Sequence, residues 1–125
     1  MGAQLLVRGI RGAISVDGNT SQELKEATRE LLLILVKENQ LNTEDIASIF
    51  FTVTPDLNAD FPATAARELG WDLVPLLCAR EIDVPGGPQK LIRVLVHANT
   101  AKKQQEIKHV YLKDAANLRP DLVGK

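Results

Sequence analysis

Three arginines and one glutamate are the side chains of this sequence whose positions fit chemistry better than packing. Arg93 lies in the middle of an apolar stretch, between Leu91 and Leu95 on the same face of a predicted strand. Burying an unpaired guanidinium is costly, so Arg93 needs an anion. The sequence leaves two possibilities open: a carboxylate of this chain, with Glu81 and Asp83 nearest along the sequence, or an oxyanion of a ligand.

Arg11 and Arg67 would add further cationic groups if the anion is a ligand, because arginine presents two parallel donors to a carboxylate. Arg11 lies on a predicted strand over residues 4–16, on a face of small residues that leaves space for a ligand or for a packed helix. A salt-bridged surface arginine is an equally good interpretation there. Arg67 follows Thr64 by three residues on a short predicted helix over 62–69, so the two are surface neighbours. Together these residues suit a small dianion that carries a hydroxyl.

Cys78 and Phe61 have simpler interpretations beside the functional ones. Cys78 precedes Glu81 by three residues on one short stretch, but a thiol nucleophile needs a nearby base, and only His97 and His109 are candidates. A small buried side chain or a hydrogen-bond partner is the favoured interpretation of this cysteine. Phe61, just before the short helix, is interpreted as a hydrophobic staple rather than as the wall of a ligand site.

Composition excludes several classes of protein. The 125 residues suit a single domain spanning 1–125, with 45% apolar and 25% charged residues, as in an ordinary soluble globule. A net charge of -1 without a basic run predicts no nucleic-acid partner, and the apolar run at 31–36 is too short to span a membrane. The single cysteine and the absence of a secretion signal in residues 1–7 predict a cytoplasmic location. Histidine and cysteine spacing predicts no metal site, and no cofactor is expected.

Periodicity predicts one long helix, one short helix and five strands. The long helix begins at an N-cap, Thr20, with Glu23 completing a capping box. The strand from Ile46 until Pro55 is almost continuously apolar, which predicts cover on both faces. The remaining predicted strands are 4–16, 73–78 with Pro75 at a sheet edge, 91–98 and 107–112. This order predicts a mixed-sheet α/β or α+β fold, and so few helices leave part of the sheet for burial against identical chains.

Four stretches carry a resemblance to a known family. "VRGIRGAISV", "TPDLNADFPATAARELGW", "VPLLCAREIDVPGGPQKLIRVLV" and "HVYLKDAANLRPDL", in this order and over about the whole chain, resemble the monofunctional chorismate mutases of the trimeric α/β type. The resemblance implies a homotrimer with a barrel-like core of sheets, helices outside and active sites between adjacent subunits. It also implies conversion of chorismate to prephenate in phenylalanine and tyrosine biosynthesis, without a cofactor.

Ten positions match residues that the family uses at its active site. One chain would contribute Arg11, Cys78, Glu81, Arg93, Tyr111 and Leu118, and its neighbour Phe61, Ala63, Thr64 and Arg67. Arg67 would offer positive charge near the ring carboxylate of the substrate. Thr64 stands where the family is expected to carry a lysine, so one cationic contact is absent.

The resemblance also implies a role for each residue of the first set. Arg93 would donate to the ether oxygen and to the side-chain carboxylate, where negative charge grows as the C–O bond lengthens. Arg11 and Tyr111 would hold the enolpyruvyl carboxylate. Glu81 with Cys78 would bind the ring hydroxyl.

Two other functions remain open on the sequence alone. The first is a non-catalytic trimeric module that binds small carboxylates as a metabolite sensor, and the second is an enamine or imine deaminase of similar architecture. Glu81, Tyr111 and the "PGGPQKLIRV" context favour the mutase over both. The tail over 118–125 is compatible with closing over the ligand and with staying open.

Overall fold

The structure is a computed structural model that describes residues 4–118, in which the elements build one mixed sheet with helices on one side. The strands are β1 (Leu6–Ser15), β2 (Ile46–Val53), β3 (Leu76–Arg80), β4 (Leu91–Thr100) and β5 (Val110–Leu112); the helices are α1 (Ser21–Asn39) and α2 (Ala63–Glu68), and short 3-10 turns span Thr43–Asp45, Gln104–Glu106 and Lys113–Asn117. The sheet order is β3-β2-β4-β1-β5. β1–β4 and β2–β4 are antiparallel, whereas β1–β5 and β2–β3 are parallel. The predicted mixed sheet with one long and one short helix is confirmed.

Helix α1 forms where its capping residues and apolar stripe predict it. The Thr20 hydroxyl accepts a hydrogen bond from the Glu23 backbone N–H at 3.1 Å, which satisfies one of the free donors of the first turn. The helix ends at Gln40, whose left-handed backbone (φ 55°) returns its N–H to carbonyls of the last turn. Leu24 and Leu31 on its apolar face are fully buried against the sheet.

The closest approach of α1 to the sheet occurs at Gly12 of β1. A Cβ built there would lie 2.8 Å from Cγ2 of Val94, 3.1 Å from Cδ1 of Leu35 and 3.2 Å from Cδ1 of Leu31. The glycine therefore allows the helix to rest directly on the strand, and a side chain at this position would have to displace a buried β-branched neighbour.

We expect Gly12→Ala to lower the free energy of unfolding by about 1–3 kcal/mol through overpacking, partly offset by the reduced entropy of the unfolded chain. The cost should shrink when Val94→Ala is also present, because that change removes the nearest methyl group. Urea unfolding of both single variants and the double variant measures the coupling. Strictly additive changes would show that the contact with Val94 does not limit the packing.

The two faces of the sheet differ sharply in cover. On β4 the side chains of Val94 and Val96 are buried under α1, while Arg93 and Leu95 alternate with them and point to the opposite face, called here the open face. The prediction that β2 is covered on both faces is wrong within this chain. Phe51 is 0% exposed, but its neighbour Phe50, on the open face, is 41% exposed. An apolar strand sequence can thus indicate burial of both faces even though its own chain covers only one of them.

The bounds of β3 and β5 differ most from the prediction. β3 begins after Pro75, which has no N–H to donate, and it lies at the sheet edge as expected. β5 is shorter than the predicted 107–112, since it begins only at Val110. A 3-10 turn over 104–106 precedes it, in which the Lys103 N–H donates to the Glu106 carboxylate at 2.8 Å. The 3-10 turn over 113–117 was not predicted. Its first segment is fastened to β1, since the Asp114 N–H donates to the Ser15 hydroxyl at 3.0 Å.

Candidate active site

The strand register places Arg93 and Tyr111 in one row on the open face. Ala13 of β1 pairs with Arg93 of β4 on one side and with Tyr111 of β5 on the other. Adjacent strands lie about 4.8 Å apart, so the backbones of Arg93 and Tyr111 are about 10 Å apart. Arg11 lies two residues before Ala13 on the same strand and face. The sheet thus presents three of the predicted site residues on one face, with a small side chain between them.

Glu81 is the acid that reaches Arg93. Its Oε2 lies 3.5 Å from Nε of Arg93, and the Thr52 hydroxyl donates a hydrogen bond to the same oxygen. The Arg93 side chain is 40% exposed and that of Glu81 is 23% exposed, so both reach solvent. The sequence left two candidate anions for Arg93, a carboxylate of the same chain and an oxyanion of a ligand. The first of these, Glu81, is present beside Arg93.

The ion pair with Glu81 does not provide the Nε–H donor of Arg93 with a hydrogen bond. Nε of Arg93 is buried and has no hydrogen-bond partner within residues 4–118. A separation of 3.5 Å meets the limit for an ion pair, but charge-assisted hydrogen bonds between nitrogen and carboxylate are typically about 2.7–2.9 Å long. Because buried donors are almost always partnered, Nε marks a place where an acceptor from outside these residues fits.

Arg93 and Glu81 line a cleft of about 650 Å³ whose opposite wall is the loop over 82–89. This volume is in the range of small-molecule sites. The loop carries the turn "PGGP", in which Gly86 has a positive φ of 80° that favours glycine. Asp56 and Asp83 also line the cleft. The described part of one chain therefore supplies one arginine and three carboxylates here.

Cys78 does not share this cleft. It lines a second cleft of about 550 Å³, together with Phe61 and Arg80, and it packs against the core beneath α1. Within one chain Cys78 and Glu81 line different clefts, and their joint contact with one ligand stays a prediction. Residues three apart are neighbours on a helix, but on a strand they point to opposite faces. The staple interpretation of Phe61 is also wrong, because its side chain is 65% exposed.

Arg11, Tyr111 and Leu118 occupy the other end of the open face. Arg11 is exposed and lines a cleft of about 410 Å³ with His109, whose Nδ1 accepts a hydrogen bond from the Arg11 backbone N–H at 2.9 Å. Tyr111 and Leu118 are half-buried and pack on a small cluster formed by Ala13, Leu91 and Ala115. Residues 119–125 lie outside the described part of the chain, so closure of the tail stays a prediction.

The neighbour-contributed set lies on and before α2. Arg67 is exposed, Thr64 is half-buried, and Ala63 is only 3% exposed, which leaves its backbone rather than its side chain for a ligand. Asp60 fastens the start of this helix: its carboxylate accepts from the Phe61 N–H at 2.7 Å and from the Thr64 hydroxyl at 3.2 Å.

The same carboxylate ties α2 to the start of α1. Asp60 accepts a hydrogen bond from the Ser21 hydroxyl at 2.6 Å. This bond, followed by the Phe61 N–H, holds the pKa of Asp60 below its ordinary value of 3.8, with smaller contributions from Thr64 and the charge of Lys25.

A depressed pKa makes this contact sensitive to acid. The stabilisation is present above the ordinary pKa of 3.8 and is lost as the pH falls through the lower native pKa of Asp60. We expect the melting temperature of the wild type to exceed that of Asp60→Asn near neutral pH, and the difference to shrink as the pH falls below 3.8 and through the lower native pKa of Asp60. Thermal unfolding across this range measures it, with the exposed Asp72→Asn as control. A difference in melting temperature that stays constant with pH would contradict stabilisation by hydrogen bonds to the ionised carboxylate of Asp60.

The described residues contain no group of three or more histidine, cysteine, aspartate and glutamate side chains arranged to hold a metal ion. No helix within 4–118 is both long and apolar enough to cross a membrane.

The structure thus joins Arg93 to Glu81, sets Arg11 and Tyr111 on the same face, and separates Cys78 and the α2 residues from them. It also adds Thr52, which sequence reasoning missed. A threonine in a β-strand is ordinary, since its branched side chain favours that conformation. The only sequence signal was its even spacing from Phe50, which placed it on the same face.

The described residues thus form a small α/β domain with a five-stranded mixed sheet and a cleft lined by Arg93 and Glu81. Residues 7–122 match the model of the family described as chorismate mutase type I. The chain belongs to the type I chorismate mutase family. The resemblance drawn from the four sequence stretches is therefore confirmed, and with it the prediction of a chorismate mutase, which is an isomerase.

Individual relatives agree over nearly the full length. The chorismate mutase AroH of Thermus thermophilus is 51% identical over 118 residues, which cover 94% of this chain and 97% of the relative. AroH of Bacillus subtilis (strain 168) is 45% identical over 119 residues, 94% of each chain. The solved chorismate mutase from Clostridium thermocellum superposes with a TM-score of 0.87 at 50% identity, covering 88% of this chain and 98% of that one.

Proposed function

We propose that this protein converts chorismate to prephenate by an intramolecular pericyclic rearrangement in the cleft lined by Arg93 and Glu81. The observation that carries the proposal is the buried, unpartnered Nε of Arg93 beside a carboxylate at that cleft. The reaction needs no nucleophile, metal or redox group, because bonds break and form within one molecule. What it needs is a fixed donor for an oxygen that becomes negative during bond breaking.

Arg93 supplies that donor. Its guanidinium donates to the ether oxygen and to the adjacent side-chain carboxylate of the substrate, and the first of these bonds strengthens as the C–O bond lengthens. Glu81 binds the ring hydroxyl from the same cleft. Its negative charge also balances the guanidinium while no substrate is bound, which limits the cost of keeping a half-buried cation ready.

Arg11 and Tyr111 hold the enolpyruvyl carboxylate. Both lie on the open face, Tyr111 in the row of Arg93 and Arg11 two residues away along β1, which supports this assignment. Cys78 lines the second cleft rather than the one lined by Arg93 and Glu81, so we leave the contact with the ring hydroxyl to Glu81.

The energies are consistent with such a site. A rate gain of about 10⁶ requires about 8 kcal/mol. One well-placed donor to a developing oxyanion supplies about 2.7–4 kcal/mol. Holding the flexible substrate in its folded, reactive conformer supplies the rest, since positioning can contribute about 7 kcal/mol or more.

The charge of the cleft supports a site shared between chains. With one arginine and three carboxylates from its own chain, the cleft by itself repels a dianion. Arg11 and a cation from a neighbouring copy would cancel this excess of negative charge. We infer that Phe61, Ala63, Thr64 and Arg67 of an adjacent subunit complete the site of a cytoplasmic homotrimer.

The open face supplies the apolar surface that such an assembly requires. Phe50 pairs in register with Leu77 on one side and with Leu95 on the other, and all three are exposed, by 41%, 57% and 39%. A row of large apolar side chains on one sheet face is a typical interaction surface. Its continuity with the arginine row supports a subunit contact beside the cleft.

Loss of chorismate absorbance on addition of the purified protein tests the function, with prephenate identified as the product. Turnover dependent on the protein supports the mutase. Unchanged chorismate together with tight binding of a bicyclic transition-state mimic would contradict it and would indicate a carboxylate-binding sensor.

A further inference from the structure

The side chain of Thr52 has an unusual partner for a threonine of a β-strand. Its hydroxyl donates to the Glu81 carboxylate, across the parallel pair β2–β3. Thr54, two residues further on, shows the ordinary alternative: it accepts a hydrogen bond from the Leu91 backbone N–H at 3.0 Å and is buried. Thr54 therefore completes backbone pairing, whereas Thr52 acts on a side chain of the candidate site.

Thr52 stands directly beside Arg93 as well. The two are register partners across β2 and β4, so their Cβ atoms are about 4.5–5.5 Å apart. The oxygen that receives the Thr52 hydroxyl, Oε2 of Glu81, is the same oxygen that lies 3.5 Å from Nε of Arg93. One carboxylate oxygen is thus held by the threonine at a distance where it balances the arginine charge but forms no hydrogen bond with Nε.

We propose that Thr52 is a positioning residue that keeps Glu81 from closing onto Arg93, so that Nε stays available to the substrate oxygen. The stiffness of a β-branched side chain suits this role, because few χ1 rotamers are open to it and the hydroxyl keeps its direction. The inference rests on the proposed function and deepens it. Thr52 itself makes no contact with the reacting atoms.

The role predicts a specific failure when the hydroxyl is removed. In Thr52→Val the shape and strand preference of the side chain remain, so the protein folds, but Glu81 is released and pairs with Arg93. We expect kcat to fall about tenfold with a smaller change in KM, because the lost donor acts mainly in the transition state. Thr52→Ser, which restores a hydroxyl, should recover most of kcat.

Ser48→Ala is the matched control. Ser48 lies on the same strand and face, and its hydroxyl is 3.2 Å from Nδ1 of His97, away from the cleft. This variant should keep wild-type kcat. Equal kcat values for Thr52→Val and wild type, or an equal loss in the valine and serine variants, would overturn the positioning role while leaving the mutase activity of the wild type intact.

A readout without turnover separates this inference from the proposed function. Hydrogen exchange of the Arg93 Nε–H, followed by NMR on the substrate-free protein, should be slower in Thr52→Val than in wild type, since Nε gains Glu81 as an acceptor. Exchange that is unchanged or faster would contradict the inference even if the wild type proved inactive.

Discussion

Replacement of Arg93 by alanine is expected to lower kcat at least about 10²-fold, the loss found when one donor to a developing oxyanion is removed. The ground state of the substrate keeps its other contacts, so KM should change less. Arg93→Lys should be intermediate, because an ammonium keeps the charge but loses the planar pair of donors. Steady-state kinetics of the three proteins measures the series.

The same variants distinguish catalysis from a structural ion pair. The Arg93 side chain is 40% exposed, and partly exposed ion pairs contribute about 0–1 kcal/mol, so Arg93→Ala should remain folded and assembled. Arg29→Ala, an exposed arginine on α1, is the control for loss of a surface charge. Near-normal turnover in Arg93→Ala, with only a lower melting temperature, would reduce the Arg93–Glu81 contact to a structural role.

Charge reversal at Arg67 is expected to have the second largest effect. Arg67 is exposed on α2 and lies outside the cleft of its own chain, so the variant Arg67→Glu should fold normally. A lost hydrogen bond to a charged group corresponds to about 1.5–3 kcal/mol, or about 10- to 160-fold in kcat/KM, and repulsion of the ring carboxylate adds to it.

The loss at Arg67 should appear mainly as a higher KM, because attraction to the ring carboxylate is present before and during the reaction. Arg67→Gln, which removes the charge without reversing it, should be milder. Kinetic measurements at increasing salt concentration provide a further check. Dissolved ions screen the repulsion between the introduced glutamate and the ring carboxylate, so the rise in KM of the Arg67→Glu variant should become smaller. An unchanged KM in both variants would remove Arg67 from the site.

Much of the fold follows from local patterns in the sequence. Thr20 and the apolar stripe behind it define α1, because capping and periodicity are local properties. Alternation along β4 correctly separated Arg93 from Val94. The cover of Phe50 was not predictable in the same way, since an apolar run records that a face is buried but not which chain buries it.

The site was less accessible to sequence reasoning, because it depends on register between distant strands. The contact of Thr52 with Glu81 joins residues 29 positions apart and requires β2 and β3 to pair in parallel. The separation of Cys78 from Glu81 was available from their odd spacing, provided the stretch was recognised as a strand through Arg80. The residues assigned by family resemblance were identified without any of this geometry.

Mixing of two impaired variants tests most directly whether a fixed arginine works in a cleft shared by two chains. Arg93→Ala and Arg67→Glu are combined in equal amounts, unfolded together and refolded, so that random assembly gives about one quarter of the sites both native arginines if the two come from different chains. A mixture of wild type with the doubly changed chain serves as control: a shared site leaves about one quarter of sites intact, and a site within one chain leaves about one half. We predict that the mixed variants recover about one quarter of the wild-type kcat/KM, a parameter that both single changes impair. Activity that stays at the mean of the two separate variants, with one half retained in the control, would contradict the account.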